Sequence, residues 1–207
     1  MTTLSPLVQV WQRIETWLRQ HAPGSHAELG PPATDAELDE VAATIGTQLP
    51  AELTTWWRRA NGLHFGVGRP RGLLIPSANP YPTSMALDRR QMHLHVQENT
   101  FPAQMTEDLL RFVADQNTQP AATLPGEGEI PYWLPLWLPF AGDAAGGGYF
   151  IDLRHGPQHG CLVRYDREHR ASTPQWPSLT ALWTSVADQL ESDTVEPDDQ
   201  GYIWLWR

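Results

Sequence analysis

Two carboxylates, Asp143 and Asp152, stand on either side of a glycine-dense turn and are the first residues here with the makings of chemistry. Neighbouring carboxylates can hold a divalent cation or divide acid and base duties between them. Asp143 also follows Gly142, and an Asp so placed braces a turn by accepting hydrogen bonds from backbone N–H groups two positions on. The turn reading is the preferred one. The run Gly146-Gly147-Gly148 would cradle phosphate if it opened a helix, but Tyr149, Phe150 and Ile151 continue it as a strand. The helix-terminal N–H cluster that binds anions is therefore missing, and positive φ in a turn accounts for the glycines.

Histidines offer a second set. His93 and His95 are two positions apart, so they share a face only if the segment is extended, and a helix separates them. His155, His159 and His169 fall on polar stretches and read as solvated or packing side chains. No G-x-S-x-G elbow or comparable nucleophile turn is present. All 14 basic residues are Arg, which excludes a P-loop, a Schiff-base lysine and pyridoxal chemistry. Cys161 is the only cysteine, so neither an intrachain disulfide nor a cysteine zinc site is available. No catalytic residue, metal or cofactor is assigned. The pairs Trp56-Trp57 and Trp133/Trp137 are expected in the core, yet a tryptophan left on the surface would be a natural hot spot for a partner. Candidate partner contacts are thus Trp133, Trp137, Asp143 and Asp152.

The elements that must position these residues begin with a helix. Ser5 caps it, Pro6 takes its first position, and Leu7, Val10, Trp11, Ile14 and Leu18 recur on one face before Pro23-Gly24 ends it. Thr34 and Glu37 form a capping box for a second helix with Leu38, Val41 and Ile45 inward and Gly46 as its stop. Leu49-Pro50 opens a third through Leu53, Trp56 and Ala60, closed by Asn61-Gly62. In the Gly/Pro/Arg-rich stretch 63–82, only Leu73 to Ile75 suggests a strand. Helices are expected over 84–97 and 102–116, the latter with Met105, Leu109, Phe112 and Val113 on one face, and an exposed connection over 117–131. Leu136 to Phe140 and Tyr149 to Leu153 form a hairpin, Cys161 to Tyr165 a further strand of a meander, and 177–190 an amphipathic helix. Tyr202 to Trp206 reads as a terminal strand or apolar anchor.

Length and composition bound the rest. A chain of 207 residues with 41% hydrophobic content and 10 Trp can build one substantial core. The formal net charge of −10 repels phosphate backbones and argues against direct nucleic-acid binding, while suiting a basic partner. No signal-peptide pattern and no stretch approaching the roughly 20 apolar residues of a membrane span is found, so a cytoplasmic protein is expected.

Several of these segments also resemble a known family. Trp11 with Ile14-Glu15, then Leu29 to Glu37 (L-G-P-P-A-T-D-A-E), then Leu49-Pro50 and Leu53 with Asn61-Gly62, resemble the amino-terminal helices of the SUKH superfamily. Leu138 to Asp143 followed by Gly147-Gly148 and Ile151 to Leu153 looks like that family's central hairpin, and Leu179 to Leu190 like its last helix. The resemblance covers roughly 5–62 and 133–191, and its specificity lies in order and spacing.

The superfamily includes a yeast cell-wall synthesis regulator and many bacterial immunity proteins. It implies an α+β fold with an antiparallel or mixed central sheet packed against N-terminal and C-terminal helices. One SUKH-like domain over 1–207 is expected, with an insertion at about 63–132 that departs from the family. The implied role is non-enzymatic: an immunity protein that binds and neutralises a cognate toxin, of nuclease or deaminase type and therefore basic. A regulatory scaffold in envelope synthesis or signalling is the alternative, and a metal-dependent or other hydrolase the third.

Overall fold

Each end of the chain's first helix has a local cause. In the computed structural model, which describes residues 4–64, 72–99, 102–124, 132–143, 145–166, 171–192 and 194–205, Ser5 Oγ accepts from the Val8 N–H to cap α1 (Pro6–His21). Pro23 does not simply end this helix: it opens a short α2 (Pro23–Ala27), since proline suits a first helical position as well as a stop. The expected capping box starts α3 (Asp35–Ile45), with Thr34 Oγ1 accepting from the Glu37 N–H and Glu37 Oε2 accepting from the Thr34 N–H at 2.7 Å. These bonds favour the ionised carboxylate and hold the Glu37 carboxyl below its ordinary range. Gly46, in the left-handed conformation, stops α3.

The next helix, α4 (Ala51–Trp57), ends earlier than its sequence suggests. Arg58 caps it and Gly62 makes a separate left-handed turn beyond it, with φ +68°. Two helices follow, α5 (Thr83–Asn99) and α6 (Ala103–Asn117), then α7 (Leu179–Leu190) capped by Ser178. The strands are β1 (Asn79–Pro80), β2 (Trp137–Gly142), β3 (Gly148–Asp152), β4 (Leu162–Tyr165) and β5 (Ala171–Trp176). They form one antiparallel sheet in the order β1-β2-β3-β4-β5, an α+β meander as expected. Leu73 to Ile75 makes only isolated bridges.

Proline in an inner strand normally removes a ladder bond. Pro139 is tolerated because β1 pairs only with Ala141 and Gly142, so among the described residues no strand pairs with β2 on that side at residue 139. The register also slips between Pro139 and Ala141, and the extra residue, Phe140, is a bulge.

Both faces of the sheet are covered. Leu138, Phe140, Ile151 and Leu162 pack on α1, α4 and α7, where Trp183 sits 5.0 Å from Trp11 and 5.1 Å from Trp56 between ring centroids. Trp137, Phe150, Val163 and Tyr165 face the other way, onto Leu109 and Val113 of α6 and onto Trp133. Alternation along each strand thus feeds two cores. The helix stripe read for α6 is narrower than expected: Leu109 and Val113 are buried, but Met105 and Phe112 are 42% and 38% exposed. The C-terminal segment closes the first core, with Ile203 and Leu205 buried and the Leu73 N–H donating to the Ile203 carbonyl at 2.7 Å.

Gly62 separates conformational need from steric need. A Cβ there would lie 2.3 Å from backbone atoms of Tyr81 and Pro82, whereas one at Gly46 would meet nothing within 4 Å. Gly46→Ala should therefore cost only the left-handed penalty of about 1–2 kcal/mol. Gly62→Ala should cost about 3 kcal/mol or more, read as the difference in urea-unfolding free energy.

Candidate functional site

Asp152 closes β3, and the alternation of extended chain puts the residue two positions on, Arg154, beside it. Both side chains are 0% exposed. The guanidinium and carboxylate meet as a fork: Arg154 Nε donates to Asp152 Oδ1 at 3.0 Å and Nη2 to Oδ2 at 2.7 Å. Backbone groups supply further partners. Asp152 Oδ1 accepts from the Arg154 N–H and Oδ2 from the Ala122 N–H, while Arg154 Nη1 donates to the Gln116 carbonyl and Nη2 to the Thr123 carbonyl. The guanidinium carbon also lies 5.8 Å from the centre of a Trp137 ring. The pair therefore tethers the chain after α6 to the end of the hairpin. Residues 118–124 are accordingly more ordered by contacts than an exposed connection would be, with Ala121 buried, while 125–131 lie outside the described residues.

At the other end of the hairpin, Asp143 does what turn chemistry requires. Its Oδ1 accepts from the Ala145 and Gly147 N–H groups, both at 2.8 Å, and its own N–H donates to the Gly147 carbonyl. Gly142 is required for close approach, since a Cβ there would lie 1.6 Å from the Tyr81 hydroxyl. Burial holds the phenols of Tyr81 and Tyr165 above their ordinary range.

Of the four candidate partner contacts, Trp133, Trp137 and Asp152 are 1%, 0% and 0% exposed, so none of them lies on the surface of this fold. Trp133 is stacked on His93 with ring centroids 4.0 Å apart, and Trp137 is stacked on Phe150 at 4.3 Å. Asp143 alone is half-exposed, and the hairpin separates it from Asp152 rather than pairing the two. His93 is buried and His95 exposed, as opposite faces of a helix dictate. His155 and His159 border a depression of 460 Å³ with Asn117, Leu136 and Leu153. Each imidazole contacts a backbone carbonyl, Thr118 at 3.0 Å and Arg154 at 3.1 Å respectively. His169 lies outside the described residues. Among the described residues no group of three or more His, Cys, Asp or Glu is placed to hold a metal ion.

A larger concavity lies elsewhere, between α3 and α5. It measures 740 Å³ and includes Glu40, Asp88 and Glu98 at its rim and Val41, Leu87 and Leu94 among its apolar lining. Sequence reading found the helices but not this groove, because the two walls are far apart in the chain. Arg154 is absent from the sequence-derived candidates, although the spacing Asp152-x-Arg154 on an extended segment is a legible signal for a same-face ion pair.

A meander sheet with helices on each face, a buried ionic pair spent on internal bonds and an open groove lined by carboxylates together define an α+β domain. The chain belongs to the SMI1 / KNR4 family (SUKH-1), whose model matches residues 32–188. It is 24% identical over 168 residues to "Cell wall biosynthesis/cell cycle regulator smi1" of Schizosaccharomyces pombe, covering 79% of this chain and 32% of that protein. A "KNR4/SMI1 homolog" of Yarrowia lipolytica is 23% identical over 236 residues (94% and 32% covered), and "KNR4/SMI1 homolog 2" of Debaryomyces hansenii is 26% identical over 196 residues (80% and 32%). The chain spans about a third of the length of these curated relatives. Among the described residues no helix is long and apolar enough to cross a membrane.

Removing one member of a buried pair leaves an uncompensated charge or unfilled donors, at about 3–5 kcal/mol. Asp152→Asn and Arg154→Met should each destabilise by that order in urea unfolding. The double variant Asp152→Leu/Arg154→Met should be less destabilised than the sum of the single changes, giving a clear coupling in the double-mutant cycle.

Cys161 is wholly buried, and burial pushes its thiol up to about 12. A thiol-specific reagent should leave the native protein unlabelled at pH 8 and label it stoichiometrically in denaturant.

Proposed function

We propose that this chain is a non-enzymatic protein-binding domain, working in the cytoplasm through its acidic surface. The observation that carries this reading is where the carboxylates are used. Asp143 and Asp152 direct their oxygens to backbone N–H groups and to a guanidinium. Glu40, Asp88 and Glu98 instead stand exposed around an open groove and make no ion pair among the described residues. Carboxylates arranged so are suited to recognising a basic partner and to steering its approach.

Within that reading, the first role is immunity: direct binding of a basic toxin domain, of nuclease or deaminase type, that blocks its active surface. The net charge of −10 supports it, since nucleic-acid enzymes carry the opposite sign where they hold phosphate. A second role, regulatory scaffolding in cell-wall synthesis or signalling, is favoured by the printed name of the fission-yeast relative. The two roles part on the identity of the partner.

Co-expression of this chain with toxin-domain candidates encoded beside it should restore growth and yield a stable complex on size-exclusion chromatography. A complex with a cell-wall or signalling protein, formed without any protective effect, would select the scaffold role. Hydrolytic turnover that depends on His155, His159 or Asp143 would defeat the non-enzymatic reading altogether.

A further inference from the structure

The α3–α5 groove has a shape and chemistry that the fold itself does not use. Along α3, Glu37, Glu40, Val41 and Thr44 follow at three- and four-residue spacing and so form one continuous face. Along α5 the lining runs from Thr83 to Glu98, about 22 Å at the helical rise of 1.5 Å per residue. Leu87 and Leu94 lie two turns apart on that wall and remain half-buried, the first packed against the core of α1, α4 and α7 and the second against the core on the other side of the sheet. The groove therefore offers apolar contacts over its length without being filled from within.

Charge decides what can occupy it. Four carboxylates line the groove against a single guanidinium, Arg90, whose Nε is already directed at the Pro135 carbonyl at 2.9 Å. Glu37 is engaged in the capping box of α3, which leaves Glu40, Asp88 and Glu98 as the carboxylates available to a partner. A space between two neighbouring helices is the seat a third helix takes, with residues at i, i+3, i+4 and i+7 as anchors.

We propose that the α3–α5 groove is the docking site for a basic amphipathic helix of a protein partner, its apolar stripe on Leu87 and Leu94 and its Lys/Arg flanks on Glu40, Asp88 and Glu98. This assignment rests on the protein-binding reading above and names the surface and the occupant. An acidic helix, a neutral apolar helix and a nucleic acid are all disfavoured by the same three carboxylates.

The test uses the full chain and a synthetic 18-residue helical peptide of Leu and Lys, with a Leu/Glu peptide and a sequence-scrambled Leu/Lys peptide as controls. Amide shifts in NMR should map the Leu/Lys peptide to α3 and α5, and the two control peptides should bind at least about tenfold more weakly. The variant Glu40→Arg/Asp88→Arg/Glu98→Arg should weaken binding on the order of tenfold, the product of three exposed ion pairs each worth a few-fold. An equally charged control, Glu107→Arg/Glu196→Arg/Asp199→Arg, changes exposed carboxylates outside the groove and should keep affinity within about twofold. Equal losses in both variants, no loss in either, or shifts centred away from α3 and α5 would overturn the groove. If the natural partner found by co-expression binds the groove variant undiminished, the groove assignment fails while the protein-binding reading stands.

Discussion

A carboxylate and a guanidinium removed entirely from water must satisfy each other and then find partners for every remaining donor and acceptor, because an unpaired buried charge costs several kcal/mol. Asp152 and Arg154 approach that requirement by recruiting Ala122, Gln116 and Thr123, three backbone positions at and beyond the end of α6. The pair thereby fixes where the chain must go after the helix. With α6 so tethered, Leu109 and Val113 lie against the face of the sheet that carries Phe150 and Val163. One ionic contact thus couples the end of the hairpin to the second helical wall. Such a pair is weak evidence for net stability, since its desolvation offsets its attraction.

Covering both faces changes what the hairpin can do. Every residue of β3 is buried, so the strand reads as a continuous apolar run instead of an alternation with solvent. The same burial takes Trp133 and Trp137 out of contention as surface anchors and gives them structural work. The Trp133 Nε1–H donates to the Trp137 carbonyl at 3.0 Å, and the Trp133 backbone N–H donates to Gln97 Oε1 at 2.8 Å. Glycines beside this aromatic bulk serve close backbone approach. Gly148 illustrates this, since a Cβ there would lie 2.0 Å from the Ala141 carbonyl oxygen.

The parts of the fold legible in the sequence are those with a local physical cause. Ser5, Thr34 with Glu37, and Gly46 announce their helix ends because capping involves residues a few positions apart. The apolar stripes of α1 and α7 are read correctly because one face meets one core. By contrast, α5 buries Thr83, Ala86, His93 and Gln97. A helix between two cores and a groove has no single apolar face for periodicity to detect. β5 escaped notice for a related reason: its residues are mostly half-exposed and it contains Pro174, which an edge strand tolerates and a search for buried strands rejects. The stripe assigned to α6 was too wide because periodicity cannot tell a buried flank from an exposed one, and Met105 and Phe112 fall on the exposed flank. The candidate site fared less well than the fold. Asp143 was correctly given a turn role, but the groove joins helices whose proximity no local pattern encodes.

How firmly α5 is held bears on what its exposed wall can do. At its start, Asn61 Oδ1 accepts from the Thr83 N–H at 2.8 Å and Asn61 Nδ2 donates to Thr83 Oγ1 at 3.1 Å, so a residue distant in sequence caps the helix. Midway, Arg90 is bonded to the Pro135 carbonyl, and near the end Gln97 accepts from the Trp133 N–H. These bonds lie at the start, middle and end of one helix, the first running to Asn61 beyond α4 and the other two to residues 133–135 just before β2. A wall fixed in this way loses little further freedom when something packs against it, and the ordering cost of association falls mainly on the incoming segment. The rigidity comes from the polar bonds of Thr83, Arg90 and Gln97, and the exposed carboxylates Asp88 and Glu98 make no ion pair among the described residues. The division is physical: side chains bonded to the scaffold hold the helix in place, and the exposed carboxylates remain available to whatever approaches from solvent.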